Sequence, residues 1–159
     1  MAGERVPMTP EGQQKLRLWL KDLKEVQRPA VVAAIEEARG HGDLRENAEY
    51  HAAKEKQGMI AAQMVMIEDK LSRAHVIDPS TMSGAKIAFG ATVSLRDTAT
   101  DEETTYKIVG GEEADAAFGL ISYDAPLARA LMGKEEGDEV KFNAPKGKRT
   151  FEVLSVEYK

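Results

Sequence analysis

The chain has 159 residues, of which 42% are hydrophobic and 31% charged, with a net charge of −5 and no cysteine. This composition is typical of a soluble globular protein, and no stretch approaches the roughly 18 apolar residues of a membrane span, so we expect a cytoplasmic protein. The acidic balance argues against a binder of free nucleic acid and favours a protein partner, while the lack of cysteine leaves hard cations such as Mg²⁺ as the favoured metals.

The first helix is predicted to start at Thr9, a capping hydroxyl that is followed by Pro10 at the first helical position. It should run over residues 9–39 because apolar residues recur along it, although less regularly in its second half: Leu16, Leu20, Leu23, Val26, Ala30, Ala34 and Ile35. Pro29 removes one backbone hydrogen bond, so we expect a local kink there and no break. Glycines 40 and 42 then permit the positive φ angles that a tight reversal needs.

The second helical segment has the clearest periodicity in the chain. Eight positions follow one another at spacings that alternate between three and four residues: Tyr50, Ala53, Gln57, Ile60, Met64, Ile67, Leu71 and Ala74. This heptad seam predicts that the segment packs against the first helix as an antiparallel coiled-coil hairpin. At about 28 residues per arm and about 1.5 Å per residue, the hairpin should be on the order of 40 Å long.

A β-rich second half is predicted beyond a polar stretch at residues 78–84, which divides the chain into domains at 1–78 and 79–159. The strand candidates, rich in β-branched and aromatic residues or alternating in polarity, are residues 86–89, 92–96, 104–109, 139–143 and 149–157. We expect the last strand to be central, with Phe151, Val153 and Val156 buried, and a short helix over residues 125–132. The predicted fold class is therefore α+β.

The hairpin end carries two carboxylates, Asp43 and Glu46, three residues apart at a helix start. Two such groups can share a Mg²⁺ ion, which can orient and deprotonate a water for phosphodiester hydrolysis. The same spacing is nearly that of a capping box, in which both acids would only satisfy helix-terminal amides. Spacing alone favours capping. His41 lies beside the pair, and a lone loop histidine is more often solvated than a metal ligand.

The residues around this pair resemble the GreA/GreB family of bacterial transcript cleavage factors, and more closely its GreA branch. The centre of the resemblance is residues 42–50, which read GDLRENAEY. It extends over nearly the whole chain, through RP at 28–29, VID at 76–78, FGATV at 89–93, YKIVG at 106–110, LIS at 120–122, ARAL at 128–131, GKE at 133–135 and VEY at 156–158. The resemblance implies that the second domain is FKBP-like.

The resemblance also implies a mechanism. In this family the hairpin enters the secondary channel of a backtracked bacterial RNA polymerase, and the two tip acids complete the coordination of a second Mg²⁺ at the polymerase active site. By that comparison Asp43 and Glu46 are the metal-binding, catalytic pair, and the factor is an accessory protein and no nuclease by itself. It would contact the nascent RNA 3′ end, meet DNA only through the elongation complex, hold no Mg²⁺ stably when free, and act as a monomer away from membranes.

Two further sites follow from the same resemblance. A basic patch that contacts the extruded RNA would comprise Arg39, Arg45, Lys54 and Lys56, although these bases could also form an ordinary salt-bridged helix face with Glu49 and Glu55. A docking loop for the rim of the polymerase channel would comprise Ser122, Asp124, Ala125 and Pro126. Relatives commonly have serine where Ala125 stands, so a hydroxyl contact is lost. The alternative for this loop is a turn whose aspartate caps the short helix.

Three other functions fit parts of the sequence. A holdase chaperone should have an apolar tip, whereas this tip has only Leu44 among polar residues. A prolyl isomerase would need an aromatic-lined pocket, for which the second half shows no evident signature, and a fold does not confer an activity. An inhibitory paralogue that blocks the polymerase channel would share the architecture, and only an activity measurement separates it from a cleavage factor.

Overall fold

The protein is described by a computed structural model over residues 4–42 and 47–159. The chain divides into two compact units: one comprises Met1–Glu4 and Gln13–Ala74, and the other Arg5–Gly12 and His75–Lys159. The α+β class predicted from the sequence is confirmed, with a helical hairpin in the first unit and a mixed sheet in the second. Among the helices of the described residues, none is both long enough and apolar enough to cross a lipid bilayer.

The predicted first helix is interrupted by one wide turn. Helix α1 (Pro10–Asp22) passes through a π-helical turn (Leu23–Gln27) into α2 (Arg28–Arg39), and the Arg28 amide donates to the Leu23 carbonyl five residues back. The distortion expected at Pro29 is therefore present but lies one turn earlier. The proline cannot donate to the carbonyl four residues before it, and its ring crowds that group, so the preceding turn widens.

This wide turn changes which residues of α2 face inward. Val31 and Ala38 are buried and Ile35 is half-buried, whereas Val26 is 59% exposed and Ala30 and Ala34 are also exposed. The apolar stripe predicted through Val26, Ala30 and Ala34 was wrong. A π-helical turn inserts one extra residue into the helical phase, so the inward-facing positions move one residue along the chain.

Helix α3 (Ala48–Ser72) has 25 residues and carries seven of the eight predicted seam positions, since Ala74 lies beyond the end of the helix. Ile60 and Ile67 are buried on it, and the other six seam positions are half-buried. The helix runs antiparallel to the first arm, because its start meets Ala38 and the Lys24 ammonium lies 3.2 Å from the Glu68 carboxylate near its end. Full burial of an isoleucine stabilises such a hairpin by roughly 1.5–3 kcal/mol.

The second unit is built on a five-stranded sheet. Its strands are β3 (Ala91–Asp97), β4 (Glu103–Val109), β5 (Leu120–Ser122), β6 (Glu139–Ala144) and β7 (Gly147–Tyr158), and helix α4 (Pro126–Leu131) lies between β5 and β6 in the chain. The order of the strands across the sheet is β5-β4-β3-β7-β6. Pairing is antiparallel except between β4 and β5. The inward residues of the sheet and of α4 form one core, which includes Val93, Leu95, Ile108, Leu131, Val140 and Val153.

Four of the five predicted strands are present, and one was wrong. Residues 86–89 contribute only an isolated bridge from Lys86 to Glu135. The last strand lies inside the sheet but second from its edge, since β3 holds the central position. The register of β7 against β3 shifts between Ser94 and Leu95, so Val153 opposite Leu95 and Val156 opposite Val93 lie on the same face of the sheet. Phe151 and Val153 are buried, and Val156 is half-buried against the core.

Three strands were not predicted: β5, and the strands β1 (Val6–Met8) and β2 (Ala74–Val76), which pair with each other. Just after β1, the buried Glu113 carboxylate accepts hydrogen bonds from the Thr9 amide at 3.1 Å, the Thr9 hydroxyl and the Gly110 amide at 3.0 Å. The Thr9 hydroxyl in turn accepts from the Gly12 amide at 3.1 Å. Thr9 is thus the start of α1, as the sequence predicted.

Candidate functional site at the hairpin end and the docking loop

Helix α2 ends at a compact turn on the near side of the hairpin end. The Gly40 amide donates to the Glu37 carbonyl and the His41 amide to the Ala38 carbonyl, each at 3.1 Å. Gly42 has a φ of 108°, a conformation that L side chains rarely adopt. Of the two glycines expected to take positive φ angles, Gly42 does, whereas Gly40 keeps a helical φ of −67°.

On the far side, Asn47 begins α3 and also ties it to α2. Its side-chain oxygen accepts from the Tyr50 amide at 3.0 Å, which makes Asn47 the N-cap, and its side-chain amide donates to the Ala38 carbonyl at 2.6 Å. One half-buried side chain thus satisfies a helix-terminal amide and a helix-terminal carbonyl on opposite arms.

A second link joins the two arms nearer the end. The Nδ1 atom of His41 lies 3.0 Å from Oε2 of Glu49, with both side chains at least half exposed. The sequence interpretation of His41 as a solvated loop residue was therefore incomplete, because the ring is engaged by a carboxylate on the opposite arm. Tyr50 is half-buried at the start of the seam, and its ring meets that of His51 edge to face at 5.6 Å.

The predicted catalytic pair, Asp43 and Glu46, and the predicted patch member Arg45 lie outside the described residues. The described neighbours nevertheless bear on the capping alternative, since Asn47 is the N-cap of α3 and Ala48 is its first residue. The role that the capping interpretation assigned to the acids at this helix start is filled by Asn47. Within residues 4–42 and 47–159, no cluster of three or more histidine, aspartate or glutamate side chains could hold a metal ion.

Of the predicted basic patch, Arg39, Lys54 and Lys56 are exposed on the two arms. The Lys54 ammonium donates to the Gln57 side-chain oxygen at 3.3 Å. Among the described residues, no ion pair joins Lys54 or Lys56 to a carboxylate, and Glu49 pairs with His41 instead. The described part of the hairpin therefore gives little support to the alternative of a salt-bridged face.

The docking loop lies between β5 and α4 in the second unit. Ser122 ends β5 and its hydroxyl donates to the exposed carboxylate of Asp124, while the Ala125 amide donates to the Ser122 carbonyl at 2.9 Å. Pro126 is the first residue of α4, and Ala125 is its N-cap without a side-chain hydrogen bond. The alternative in which the aspartate caps this helix was wrong, because Asp124 bonds Ser122 and leaves α4 uncapped by any side chain.

Sequence reasoning missed Asn47, although a signal was available. An asparagine directly before a heptad seam is a strong helix-start signal, because its side chain is one of the best N-caps. The bond from its amide to Ala38 had no signal in the sequence, since it joins residues on two arms whose spacing only the packed hairpin determines.

Comparison with known protein families finds a match for each half of the chain. Residues 6–76 match the family described as "Transcription elongation factor, N-terminal", and residues 82–158 match "Transcription elongation factor, GreA/GreB, C-term". The two matches together cover most of the chain.

Individual relatives extend over its full length. The chain is 58% identical over 156 residues to transcription elongation factor GreA of Hyphomonas neptunium, covering 98% of this chain and 99% of the relative. It is 57% identical over 160 residues to the GreA of Francisella tularensis subsp. novicida, covering 100% of both. Among solved structures, GreA factor homolog 1 of Thermus thermophilus is similar at 29% identity with a TM-score of 0.44, covering 97% of this chain and 99% of that one.

Proposed function

Because this chain belongs to the GreA/GreB family of transcription elongation factors, we propose that it rescues backtracked bacterial RNA polymerase by stimulating cleavage of the nascent RNA. The hairpin enters the secondary channel of the polymerase and presents Asp43 and Glu46 at the active site. The polymerase supplies the remaining groups and cleaves its own transcript. The factor is an accessory protein in this proposal and does not cleave RNA alone.

The observation that supports this role for the acids is the capping of α3 by Asn47. A helix start that already has its cap does not need Asp43 and Glu46 for that purpose. Their carboxylates are the oxygen ligands that Mg²⁺ prefers, and two of them leave most coordination positions to other groups, which suits an ion shared with a partner. When such an ion is bound, it supplies charge stabilisation for phosphodiester hydrolysis.

The other described residues have supporting roles in this proposal. Asn47 and the pair of His41 with Glu49 hold the two arms together at the base of the tip. Arg39, Lys54 and Lys56, with Arg45, attract the phosphates of the extruded RNA. Ser122, Asp124 and Pro126 dock the second unit on the rim of the channel, through the exposed carboxylate of Asp124, which the Ser122 hydroxyl holds in place.

The test is RNA release from a stalled, backtracked polymerase complex in Mg²⁺. The wild-type protein is compared with Asp43→Asn and Glu46→Gln, alone and combined, because these changes keep side-chain size and remove the charge. We expect the double variant to lose most of the stimulation while still competing with the wild type for the polymerase. Equal stimulation by wild type and double variant would contradict the assignment of the acids.

An inhibitory paralogue is the second candidate. The identity of 57–58% to proteins named transcription elongation factor GreA favours the stimulating function. In the same assay, inhibition of RNA extension by the wild type without any cleavage would establish the inhibitory function instead. A control with protein and RNA alone, from which polymerase is omitted, should show no cleavage if the factor is accessory.

A further inference from the structure

A groove of about 640 Å³ runs along one side of the hairpin, within the first unit. From α2 it is lined by Arg28 and Val32, one helical turn apart, and from α3 by Gly58, Ala61 and Val65. Val32 is 45% exposed and Val65 is 67% exposed. Its volume falls in the range of sites that bind ligands or partner side chains, and its floor is aliphatic.

The π-helical turn accounts for one wall of this groove. It moves Val31 into the buried seam, and Val32 then flanks the seam on the groove side. The opposite wall, formed by α3, is low because its residues Gly58 and Ala61 are small. The groove is thus a consequence of the helical phase and of two small residues on α3.

Gly58, on the α3 side of the groove, independently indicates a partner outside the chain. It stands in the interior of a 25-residue helix, where glycine is among the least favourable residues. A Cβ built on Gly58 would meet nothing within 4 Å, so no contact inside the protein requires a glycine there. A glycine that weakens a helix without an internal packing reason indicates close approach by something outside the chain.

The charges at the rim indicate the chemistry of that occupant. Arg28 and Lys54 line the groove with cationic groups, while its acid, Glu68, is engaged by Lys24 at 3.2 Å. Across the described residues, no aromatic ring lines the groove, so it offers no stacking platform for nucleic-acid bases. An aliphatic floor with a cationic rim fits an apolar side chain of a polypeptide with a carboxylate close by.

We propose that this groove is a second docking surface for RNA polymerase, which receives an apolar side chain of the polymerase beside an acidic residue. The inference rests on the proposed function for the identity of the partner. It adds a contact along the hairpin to the one expected from the docking loop. Gly58 allows the polymerase side chain to approach the α3 backbone, and Arg28 pairs with the acid.

The main test is Gly58→Leu, which fills the groove from its floor. Leucine is a good helix former and its Cβ has free space, so the thermal unfolding midpoint should stay the same or rise. Binding to core polymerase should weaken about tenfold, the loss expected when one buried apolar contact is removed. Ala52→Leu, at an exposed α3 position outside the groove, is the matched control and should bind within about twofold of wild type.

A second test changes the charge at the rim of the groove and leaves its floor unaltered. Arg28→Glu should weaken polymerase binding, whereas Arg17→Glu, an equal charge change at an exposed α1 position outside the groove, should not. A photo-crosslinking amino acid at Val65 should then react with a polymerase segment that has an acid within one helical turn of the crosslinked residue. Crosslinks to RNA alone, or to a second copy of this chain, would overturn the proposal.

The outcomes separate this proposal from the proposed function. If the wild type stimulates cleavage and Gly58→Leu binds as well as Ala52→Leu, the groove proposal fails and the function stands. If the wild type binds polymerase without stimulating cleavage while Gly58→Leu binds weakly, the groove stands and the cleavage function fails. If the wild type does not bind core polymerase, both fail.

Discussion

The side-chain amide of Asn47 donates a 2.6 Å hydrogen bond to the backbone carbonyl of Ala38, and so joins the start of α3 to the end of α2. The same side chain caps α3 by accepting from the Tyr50 amide. Ala38 is 2% exposed and its carbonyl also accepts from the His41 amide at 3.1 Å, so the Asn47 bond adds a second donor to a buried group. Asn47 therefore has two functions at the base of the tip, where the pair of His41 with Glu49 also joins the arms.

The two functions of Asn47 can be separated by substitution. Asn47→Asp keeps the cap but loses the donor to Ala38, whereas Asn47→Ala loses both. We expect the alanine variant to lower the free energy of unfolding by about 1–2 kcal/mol, and the aspartate variant by less. Urea unfolding followed by circular dichroism measures both values. Equal losses in the two variants would mean that the cap contributes nothing.

Gly12 and Gly58 should respond in opposite directions to the same change. A Cβ on Gly12 would overlap the Cδ atom of Glu113, whose carboxylate is held by Thr9 and Gly110. Gly12→Ala should therefore destabilise by about 1–3 kcal/mol through overpacking, although alanine favours the helix. Gly58→Ala has free space and should stabilise by up to about 1 kcal/mol.

Urea unfolding of these two variants side by side is the measurement. Since both replace a helical glycine by alanine, the difference between them isolates the contact with Glu113. A gain of stability in both would contradict the packing of Glu113 against the first turn of α1.

Ala125→Ser tests the one position of the docking loop at which this chain has alanine and relatives commonly have serine. Alanine is a poor N-cap and makes no side-chain bond at the start of α4, whereas serine can accept from a helix-terminal amide. The variant should gain about 0.5–1 kcal/mol in the free energy of unfolding. Polymerase affinity, measured by competition with the wild type, should also rise if the hydroxyl restores a docking contact. Ala130→Ser, later in the same helix, is a control that cannot cap.

Asp97 should make the second unit sensitive to acid. The Ala99 amide donates to its buried carboxylate at 2.8 Å and Arg149 donates at 3.0 and 3.1 Å, and together they hold the pKa of Asp97 below its ordinary value of 3.8. A carboxyl whose pKa is lowered by folding stabilises the protein above its unfolded pKa, and that contribution disappears as the pH falls through the folded pKa.

The corresponding measurement is thermal unfolding of wild type and Asp97→Asn from about pH 7 down to about pH 2. The unfolding midpoint of the variant should be lower than that of the wild type at neutral pH. The difference between the two midpoints should narrow below about pH 4, as Asp97 of the wild type becomes protonated. Asp101→Asn, at an exposed carboxylate paired with Arg96, is the control and should show a smaller gap, because surface ion pairs contribute little. A gap for Asp97→Asn that stays constant with pH would contradict the prediction.

The sequence predicted the long elements well and the short ones poorly. The seam of α3 and four of the five proposed strands are present because each repeats its apolar pattern over enough residues to be recognised. The strands β1, β2 and β5 have three residues each, too few for a pattern, and depend on pairing partners that are distant in the chain. For the candidate site, the motif identified Asp43 and Glu46, and their chemistry stays a prediction.

The sequence by itself determined the helical hairpin, the α+β class and the family, because periodic apolar residues and a nine-residue motif are local properties of the chain. Only the tertiary structure decided that Val31 and not Val26 or Ala30 is inward-facing, since one π-helical turn before Pro29 shifts the phase of everything after it. It also decided that Asn47 bridges the arms and that Glu113 holds Thr9. Those bonds join residues that are adjacent only when the chain is packed, and no local pattern specifies them.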